Sequence, residues 1–371
     1  MQRVYLTVIN DLVTDQRVHR VAQTLHEYGA NVRVIGRRFS YSHPVDDRDY
    51  QTIRFRLLFN RTFVFYACFN IRLFFYLLFR RKGILTANDL DTLPACWLIS
   101  KIRKMPLVFD SHEYFTEVPE LINRRFVRNF WLFMERIMLP GIRHAYTVSE
   151  PVAGEYNARY GTDFKVIRNL PNKIRHEPKR PDHLRGDSRR IIIYQGSLNP
   201  GRGLESMIHA MKYLSNSQFQ IFGDGPLRTK LENLTSELNL GDRIMFMGRK
   251  PFSELRFYTR QASVAVSLEE NLGKNYYYSL PNKLFDYIHA QVPVLVSDLP
   301  EMKKIVEEYK AGMVAPSHDP SVLADMIQHM MDNHEQRLAW KKNLLRASEE
   351  LCWEVEQDKL IKIYKEAGLN L

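Results

Sequence analysis

The stretch IIIYQGSLNPGRGLESMIHAMKYL, residues 191–214, contains one complete building block of an α/β fold. Its apolar start, IIIY, is typical of a buried strand, and Gly196 ends that strand. A loop of glycine and proline follows, and LESMIHAMKYL is then predicted to form a helix. A strand, a glycine loop and a helix in this order predict a parallel sheet that is covered by helices.

The same plan recurs in both directions along the chain. Downstream lie FQIFGDGPL (219–227) and VPVLVSD (292–298), and upstream lie RVYLTVI (3–9), RVHRVAQTLHEYG (17–29) and NVRVIG (31–36). Residues 171–190 are polar, contain proline and lack periodicity, which is typical of a linker. We therefore predict an α/β fold with two doubly wound parallel-sheet domains, 1–170 and 191–350, and a helical tail at 351–371. The carboxyl ends of the strands are expected to face a cleft.

The composition indicates a folded, soluble protein. Apolar residues make up 45% of the 371 residues and charged ones 26%, within the range of globular domains. Cys68, Cys96 and Cys352 are far apart and form no CxxC pair, which argues against a disulfide framework or a structural zinc site. The apolar run before Asn10 spans six residues. Because this is too short for a signal-peptide core, we expect a cytoplasmic protein.

The positive charge is concentrated in the first half of the chain. The net charge is +11, and residues 1–180 hold 29 basic and 17 acidic side chains, a balance of +12. The remaining residues balance to −1. This asymmetry predicts that the first domain faces an anionic partner.

Much of this charge lies in RFRLLFNRTFVFYACFNIRLFFYLLFRRKG, Arg54–Gly83, which has seven basic residues, ten aromatic residues and no acidic one. Arginines interrupt it too often for a spanning helix. If it forms one helix, Arg54, Arg61 and Arg72 lie within about 40° of one another, and the remaining surface suits an interfacial helix on anionic lipid. The alternative is a core helix whose arginines reach solvent. Binding of nucleic acid by stacked aromatics is disfavoured by the clustering with leucine.

Two positions combine positive charge with the start of a helix. Arg202 follows the glycine loop, where backbone N–H groups and a guanidinium favour phosphate oxygens. The stretch SLPNKLFDYIHAQVPVLVSD, residues 279–298, places Lys283 at a second helix start and Asp286 one turn later. A carboxylate there can accept hydrogen bonds from two neighbouring sugar hydroxyls. Two cations and one carboxylate together predict a site for a nucleoside diphosphate.

The chain resembles the retaining glycosyltransferases of family four, which have two Rossmann-like domains in the GT-B architecture. The resemblance covers essentially the whole chain and is strongest in YQGSLNPGRGL (194–204), FGDGPL (222–227), LPNKLFDYIHAQVPVLVSD (280–298) and VFDSHEYF (108–115). The PNKLFDY form resembles the branch that extends bacterial surface polysaccharides and lipid-linked precursors.

The resemblance implies a division of labour between the domains. The C-terminal domain would bind a nucleotide-sugar donor, and the N-terminal domain would bind a glycan or lipid-linked acceptor and touch the inner face of the membrane. The tail would cross back onto the first domain. The family works without a metal or other cofactor, so none is predicted. Asp89 and Asp91 could suggest a metal pair, but Asp91 alternatively caps a helix.

The resemblance also implies site residues. Arg202 and Lys283 would stabilise the leaving diphosphate, which assists deprotonation of the acceptor. His112 would lie near the transferred sugar, and the alternative is a structural histidine at a strand end. The residues implied in substrate binding are Gly196, Ser197, Gly223, Tyr278, Leu280, Pro281, Asn282 and Asp286 on the donor side, and Asp15, Arg17 and Glu113 on the acceptor side.

Several family positions differ in this chain, among them Gln291 in place of a glycine and Ser197 in place of an arginine. The family has a pair of glutamates, and these correspond to Asp286 and, eight residues earlier, to Tyr278. Glu269 and Glu270 are the alternatives for the first glutamate. Two rival functions stay open at this point. A nucleotide-sugar epimerase of the same fold would not need the basic aromatic segment, and an inactive membrane-bound assembly partner is compatible with the tyrosine.

Overall fold

A computed structural model describes residues 1–370 apart from 14, 58, 60, 61, 123 and 174–189. The chain divides into two compact units. Unit 1 comprises Met1–Asn169 and Val355–Leu371, and unit 2 comprises Leu170–Glu354. Most of the predicted linker, 171–190, lies outside the described residues.

Strands and helices alternate along both units. The strands are β1 Arg3–Asp11, β2 Asn31–Arg37, β3 Gln51–Phe55, β4 Ile84–Asn88, β5 Leu107–Ser111, β6 His144–Thr147, β7 Phe164–Val166, β8 Arg190–Gln195, β9 Ser217–Phe222, β10 Ile244–Gly248, β11 Val264–Ser267, β12 Val294–Ser297 and β13 Gly312–Ala315. The helices are α1 Gln16–Glu27, α2 Thr62–Leu78, α3 Leu93–Arg103, α4 Pro119–Ile122, α5 Arg125–Met138, α6 Glu150–Tyr160, α7 Leu204–Ala210, α8 Arg228–Glu237, α9 Phe252–Gln261, α10 Lys274–Tyr277, α11 Asn282–His289, α12 Pro300–Tyr309, α13 Pro320–Asp332, α14 His334–Glu350 and α15 Trp353–Glu366.

Unit 1 contains a seven-stranded sheet with the order β3-β2-β1-β4-β5-β6-β7, and all of its pairings are parallel. The strand order reverses between β1 and β4, which makes a topological switch point. Every residue of β4 is buried. Such a run without polar alternation is typical of a parallel strand covered on both faces.

Helix α1 begins where its sequence predicts. The side chain of Asp15 precedes the helix and accepts a hydrogen bond from the backbone N of Val18 at 3.0 Å, as an N-cap does. Val18, Val21, Ala22 and Leu25 are each at most 1% exposed. These four residues form the apolar face that the three- and four-residue spacing predicts.

The C-terminal helix α15 packs within unit 1. The hydroxyl of the buried Tyr364 lies 2.8 Å from Oγ1 of Thr86 on β4. At the C-cap of α1, the hydroxyl of Tyr28 donates to Oδ1 of Asp358 at 3.1 Å. The last helix therefore contacts both the central sheet and the first helix of unit 1.

The basic aromatic segment 54–83 is not one helix. Arg54 lies in β3, where it pairs with Gly36 of β2, because this part of the segment extends the sheet. Among the described residues of the segment only α2 is helical, and Arg54 lies in a strand, so the predicted arc of three arginines on one helix is wrong. Arg72 lies in α2, and Arg61 falls outside the described residues.

Helix α2 has features of both alternatives for this segment, the interfacial helix and the core helix. Phe65, Phe69 and Leu73 are at most 7% exposed, whereas Ile71 and Phe75 are 59% and 56% exposed. One face of the helix therefore belongs to the core and another faces outward. Within the described parts of the chain, no helix is long and apolar enough to cross a bilayer.

Unit 2 contains a six-stranded parallel sheet with the order β10-β9-β8-β11-β12-β13. The stretch 191–214 forms most of β8, a loop and α7, and α7 ends at Ala210 and continues as the 3-10 turn Met211–Tyr213. The two parallel sheets confirm the predicted doubly wound α/β fold. In unit 2, the carboxyl ends of β8, β9 and β11 carry the loops with the predicted donor residues.

Candidate functional site

Two glycine loops pack against each other at the carboxyl ends of β8 and β9. The backbone N of Gly196 donates to the carbonyl of Phe222 at 2.9 Å. Gly223 has φ +138°, and a Cβ there would lie 1.8 Å from the carbonyl oxygen of Gly196. A side chain would therefore push the loops apart, which explains the predicted glycine. Gly196 and Ser197 are exposed at this sheet edge, where open α/β sheets bind ligands.

A buried carboxylate lies beside the two predicted cations. Glu269, just after β11, is 0% exposed. Its Oε1 accepts from Nζ of Lys283 at 2.7 Å and from Nη1 of Arg202 at 3.2 Å, and its Oε2 accepts from Oγ of Ser267 at 2.7 Å. Burial would raise the pKa of Glu269, but Lys283 and Arg202 hold that pKa below its usual value. The three groups form a cluster with two positive charges and one negative charge.

Tyrosine rings flank both cations of this cluster. Nζ of Lys283 lies 4.2 Å from the ring centroid of Tyr194, and Cζ of Arg202 lies 4.8 Å from that of Tyr276. Such contacts fix a cation without neutralising it. The side chain of Arg202 is 21% exposed and that of Lys283 is 8% exposed. The spare positive charge can thus reach an anion at the surface of unit 2.

The start of helix α11 adds to this positive region. Pro281 has an extended backbone at the N-cap position and supplies no side-chain cap, and Asn282 is exposed in the first turn. The N-terminal end of a helix attracts negative charge. Leu280 packs against the core of unit 2. Tyr278 is half-buried after α10, with its ring centroid 5.1 Å from that of Tyr277.

Asp286 belongs to a hydrogen-bonded chain that fixes its orientation. Its Oδ2 accepts from Nε2 of Gln195 at 2.9 Å, and Oε1 of Gln195 accepts from the hydroxyl of Thr259 at 2.8 Å. The backbone N of Gln195 in turn donates to the hydroxyl of Tyr287 at 2.9 Å. Asp286, Gln195 and Thr259 line a pocket together with Arg256. A half-exposed, oriented carboxylate can accept hydrogen bonds from neighbouring hydroxyls.

In unit 1, His112 lies between two carboxylates. Its Nε2 is 3.0 Å from Oδ2 of Asp110 and its Nδ1 is 3.3 Å from Oδ2 of Asp89. Its backbone N donates to Oδ1 of Asp89 at 2.7 Å. Burial lowers the pKa of His112, but the two carboxylates outweigh burial and raise the pKa to about 9. The ring is therefore an imidazolium at neutral pH, with a carboxylate at each nitrogen.

Arg17 and Asp110 form a buried ion pair beneath this histidine. Nη2 and Nε of Arg17 donate to the two carboxylate oxygens at 2.7 and 3.0 Å, and Nη1 donates to the carbonyl of Ile167 at 3.1 Å. Burial would raise the pKa of Asp110, but Arg17 and His112 lower it to about 2. Arg17 is 3% exposed, so it lies in the interior of unit 1. Arg17, expected on the acceptor side, lies in the first turn of α1.

The other predicted acceptor-side residues lie nearby in sequence but differ in setting. Asp15 caps α1, and Glu113 is exposed just after His112. Asp89 has a left-handed backbone with φ 65°, which is uncommon outside glycine. Asp91 is not the N-cap of α3, because Thr92 holds that position.

A metal pair at the two aspartates has little support. Burial and the neighbouring Asp89 raise the pKa of Asp91 well above its usual value, and Asp89 is engaged by His112. In the described residues, no group of three or more His, Cys, Asp and Glu side chains is arranged to hold a metal ion. That the protein works without a metal stays a prediction.

Sequence reasoning did not find several of the residues that shape these sites. It left the first glutamate of the family pair open between Tyr278, Glu269 and Glu270. It did not identify Tyr194, Gln195 and Asp110. Polar residues at the ends of two apolar strands, in YQG and VFDS, are the signal that points to Gln195 and Asp110. The structure brings Gly196, Gly223 and the donor-side cations together in unit 2.

Two protein families match the chain. Residues 15–177 match Glycosyltransferase Family 4, and residues 176–346 match Glycosyl transferases group 1. The first match covers most of the described N-terminal part of unit 1. The second covers most of unit 2, including the cluster of Glu269, Lys283 and Arg202.

Curated relatives match part of the chain. The alpha-D-kanosaminyltransferase of Streptomyces kanamyceticus is 28% identical over 189 residues, 49% of this chain and 47% of that protein. The lipopolysaccharide core biosynthesis glycosyltransferase LpsD of Rhizobium meliloti is 27% identical over 143 residues, 38% of this chain and 39% of that protein. The chain thus spans about half the length, or less, of the curated relatives it matches.

Solved structures are similar over nearly the full chain. Anabaena Alr3699/HepE, crystallised in complex with UDP-glucose, superimposes with a TM-score of 0.75 and covers 99% of this chain and 100% of its own. The sequence identity is 12%, so this similarity concerns the fold.

Proposed function

We propose that this protein transfers a sugar from a nucleoside diphosphate sugar to a hydroxyl acceptor with retention of the anomeric configuration. The proposal is supported by the matches of residues 15–177 and 176–346 to two glycosyltransferase families and by the fold shared with Anabaena Alr3699/HepE. The single observation that carries this proposal is the cluster of Glu269, Lys283 and Arg202, in which two cations share one carboxylate oxygen. Its net positive charge suits a diphosphate.

The same cluster would act on the transition state. As the bond between the sugar and the diphosphate breaks, negative charge accumulates on the leaving phosphate. Lys283 and Arg202 are held by Glu269 and by tyrosine rings, so little reorganisation is needed when that charge develops. The leaving phosphate then accepts the proton of the acceptor hydroxyl. No metal is part of this scheme.

The nucleoside would lie next to Asp286. Its carboxylate is oriented by Gln195 and can accept hydrogen bonds from the two ribose hydroxyls. The UDP-glucose bound by the similar Anabaena protein supports a nucleoside diphosphate sugar as the donor class. The base and the sugar are left open in the proposal.

The acceptor is proposed to be a membrane-associated glycan or a lipid-linked precursor. The +12 balance of residues 1–180 supports a peripheral position on the anionic inner face of the cytoplasmic membrane. The similarity to LpsD is in line with an acceptor of the surface-polysaccharide class. His112 is proposed to lie near the transferred sugar, with its ring orientation fixed by a carboxylate at each nitrogen.

A panel of UDP-, GDP- and ADP-sugars tests the proposal. Purified protein is first screened for a thermal shift with UDP, GDP and ADP, and then for hydrolysis or transfer with the matching sugars. We expect one nucleotide to stabilise the protein and its sugar donor to turn over, with Lys283→Ala reducing both the thermal shift and the rate. Lys303→Ala is the matched control, since Lys303 pairs with Asp298 elsewhere on unit 2.

The rival functions predict different outcomes in the same assay. An epimerase would convert the nucleotide sugar without an acceptor, and an inactive assembly partner would bind a nucleotide without turnover. An inverted anomeric carbon in the product would overturn the retaining assignment. Any of these results contradicts the proposal.

A further inference from the structure

Helix α5 presents a row of large apolar side chains away from its own core. Phe126, Phe130, Phe133 and Ile137 are 88%, 50%, 57% and 48% exposed. Their spacing of four, three and four residues places them on one face of the helix. Trp131 and other residues of the opposite face are buried against unit 1. The helix therefore has two apolar faces, and only one of them is covered by unit 1.

Helices α2 and α3 continue this outward surface. The connections from β3 to β4, from β4 to β5 and from β5 to β6 run in one direction across the sheet, and right-handed crossovers place their helices on the same side. Helix α3 contacts both α2 and α5. Its Leu98 and Ile102 are 45% and 60% exposed, beside the exposed Ile71 and Phe75 of α2.

The charges on these three helices are almost all positive. Their sequences contain six basic residues and a single acidic one, Glu135. Glu135 is 1% exposed and accepts from the hydroxyl of Tyr160 at 2.7 Å, so it adds no negative charge to the surface. Arg125 and Arg136 are exposed on α5, and Lys101 is exposed on α3. Arg128 of α5 is paired with Glu117, but the positive charge around the ridge still exceeds the negative charge. An exposed apolar ridge flanked by excess positive charge is complementary to an anionic lipid surface.

We propose that the outward face of α2, α3 and α5, defined here as the ridge surface, docks on an anionic bilayer with the phenylalanines of α5 inserted at the headgroup boundary. This inference rests on the proposed function, because it gives the enzyme access to a lipid-linked acceptor. It also goes beyond the basic segment 54–83, because the most exposed side chain of the ridge, Phe126, lies outside that segment. The helices lie in the interface, since none of the described ones is a spanning helix.

Two features favour lipid over another macromolecule as the occupant. Large apolar patches on soluble proteins mark interaction sites, but a protein partner for so basic a surface would need matching carboxylates. Nucleic acid would pair with the arginines but gain little from aliphatic side chains such as Ile102 and Ile137. Lipid satisfies both properties, because acyl chains accept the apolar ridge and anionic headgroups accept the cations.

Vesicle flotation of the full chain tests the ridge surface. The vesicles contain either phosphatidylcholine alone or equal parts of phosphatidylcholine and phosphatidylglycerol. We expect the wild-type protein to float with the anionic vesicles and not with the neutral ones. The variant Phe126→Ser/Phe133→Ser should bind at least about tenfold more weakly, because it removes two exposed apolar side chains.

A matched control removes two exposed apolar side chains from unit 2. Leu338 and Leu345 on α14 are 59% and 51% exposed, and Leu338→Ser/Leu345→Ser should float like the wild type. A second variant, Arg125→Glu/Arg136→Glu, changes only exposed charges and should also lose binding to anionic vesicles. It keeps the test valid if the serine variant fails to fold by circular dichroism.

The outcomes separate this inference from the proposed function. If the wild type does not bind anionic vesicles, or if both ridge variants bind as well as the control, the ridge surface is not a lipid-binding site. Binding of the protein to nucleic acid instead of to the anionic vesicles overturns it equally. Transfer to a soluble acceptor is measured on the same samples. Its persistence in the ridge variants supports the inference, whereas its absence in the wild type contradicts the proposed function alone.

Discussion

Each unit contains a cluster of ion pairs, and the two clusters differ in net charge. In unit 2, Glu269 is a single buried carboxylate that faces two cations, Lys283 and Arg202. In unit 1, Asp110 and Asp89 face two cations, Arg17 and His112. Both clusters lie at the carboxyl ends of parallel strands. The first has a surplus of positive charge and the second is balanced.

This difference in charge indicates a difference in task. A cluster with one unneutralised cation can bind an anionic ligand without a change in protonation. The ligand then neutralises the excess positive charge. A balanced cluster has no excess positive charge to attract an anion, because its cations are already paired with carboxylates. We therefore expect the unit 1 cluster to govern stability and the unit 2 cluster to govern binding and rate.

The largest expected effect is on the stability of unit 1. Arg17→Met leaves Asp110 buried without its main partner and should lower the free energy of unfolding by about 3–5 kcal/mol, measured by urea denaturation. The double variant Arg17→Met/Asp110→Asn should recover much of this loss, because no buried charge is left unpaired. A loss below about 1 kcal/mol would contradict a buried, balanced pair.

The second effect is on turnover in unit 2. Lys283→Ala and Arg202→Ala should each reduce kcat by at least about 10²-fold, the scale of losing one donor to a developing negative charge. The unfolding free energy should change less than in Arg17→Met. Steady-state kinetics with the donor found in the nucleotide panel checks this, with Lys303→Ala as control. Turnover like that of the wild type in both variants would remove the cluster from the mechanism.

These predictions depend on features that differ in how far the sequence reveals them. The strands, the glycine loops and the donor-side cations can be predicted from the sequence, because each is encoded by residues that are neighbours in the chain. Glu269 could not be assigned, because its partners lie 14 and 67 positions away in sequence. The burial of Arg17 was equally hidden, since an arginine near a helix start is usually solvated. Helix α5 has apolar residues on opposite faces, so the sequence does not indicate which face packs against the sheet.

The third effect concerns nucleotide affinity. Asp286→Asn keeps the shape of the side chain but weakens its hydrogen bonds to hydroxyls, so the affinity for free UDP or GDP should fall about tenfold. Isothermal titration with the nucleotide identified by the thermal-shift screen measures this. Tyr278→Phe, between α10 and α11, provides a comparison. If Asp286→Asn binds the nucleotide as tightly as the wild type, its carboxylate does not contact the ribose.

The smallest effect is a dependence of stability on pH. The charged groups around the His112 ring are Asp89, Asp110 and Arg17, and the pKa of the folded-state histidine is raised from 6.5 to about 9. Its contribution to stability is therefore fully present below pH 6.5 and is lost as the pH rises through about 9. Thermal melts of the wild type should show this alkaline decline. His112→Gln should lack that part of the decline, and an identical profile would contradict a charged histidine.

The position of α15 has a consequence for how the protein is made. Tyr364 bonds to Thr86 across 278 residues of sequence, so unit 1 receives its last helix only after the whole of unit 2 has been synthesised. At about 5–20 residues per second, this leaves β4 without that partner on the ribosome for tens of seconds. Unit 2 has no such wait, because its strands and helices lie in one continuous stretch. We therefore expect unit 2 to become protease-resistant on stalled ribosomes before unit 1 does, although its codons are read later.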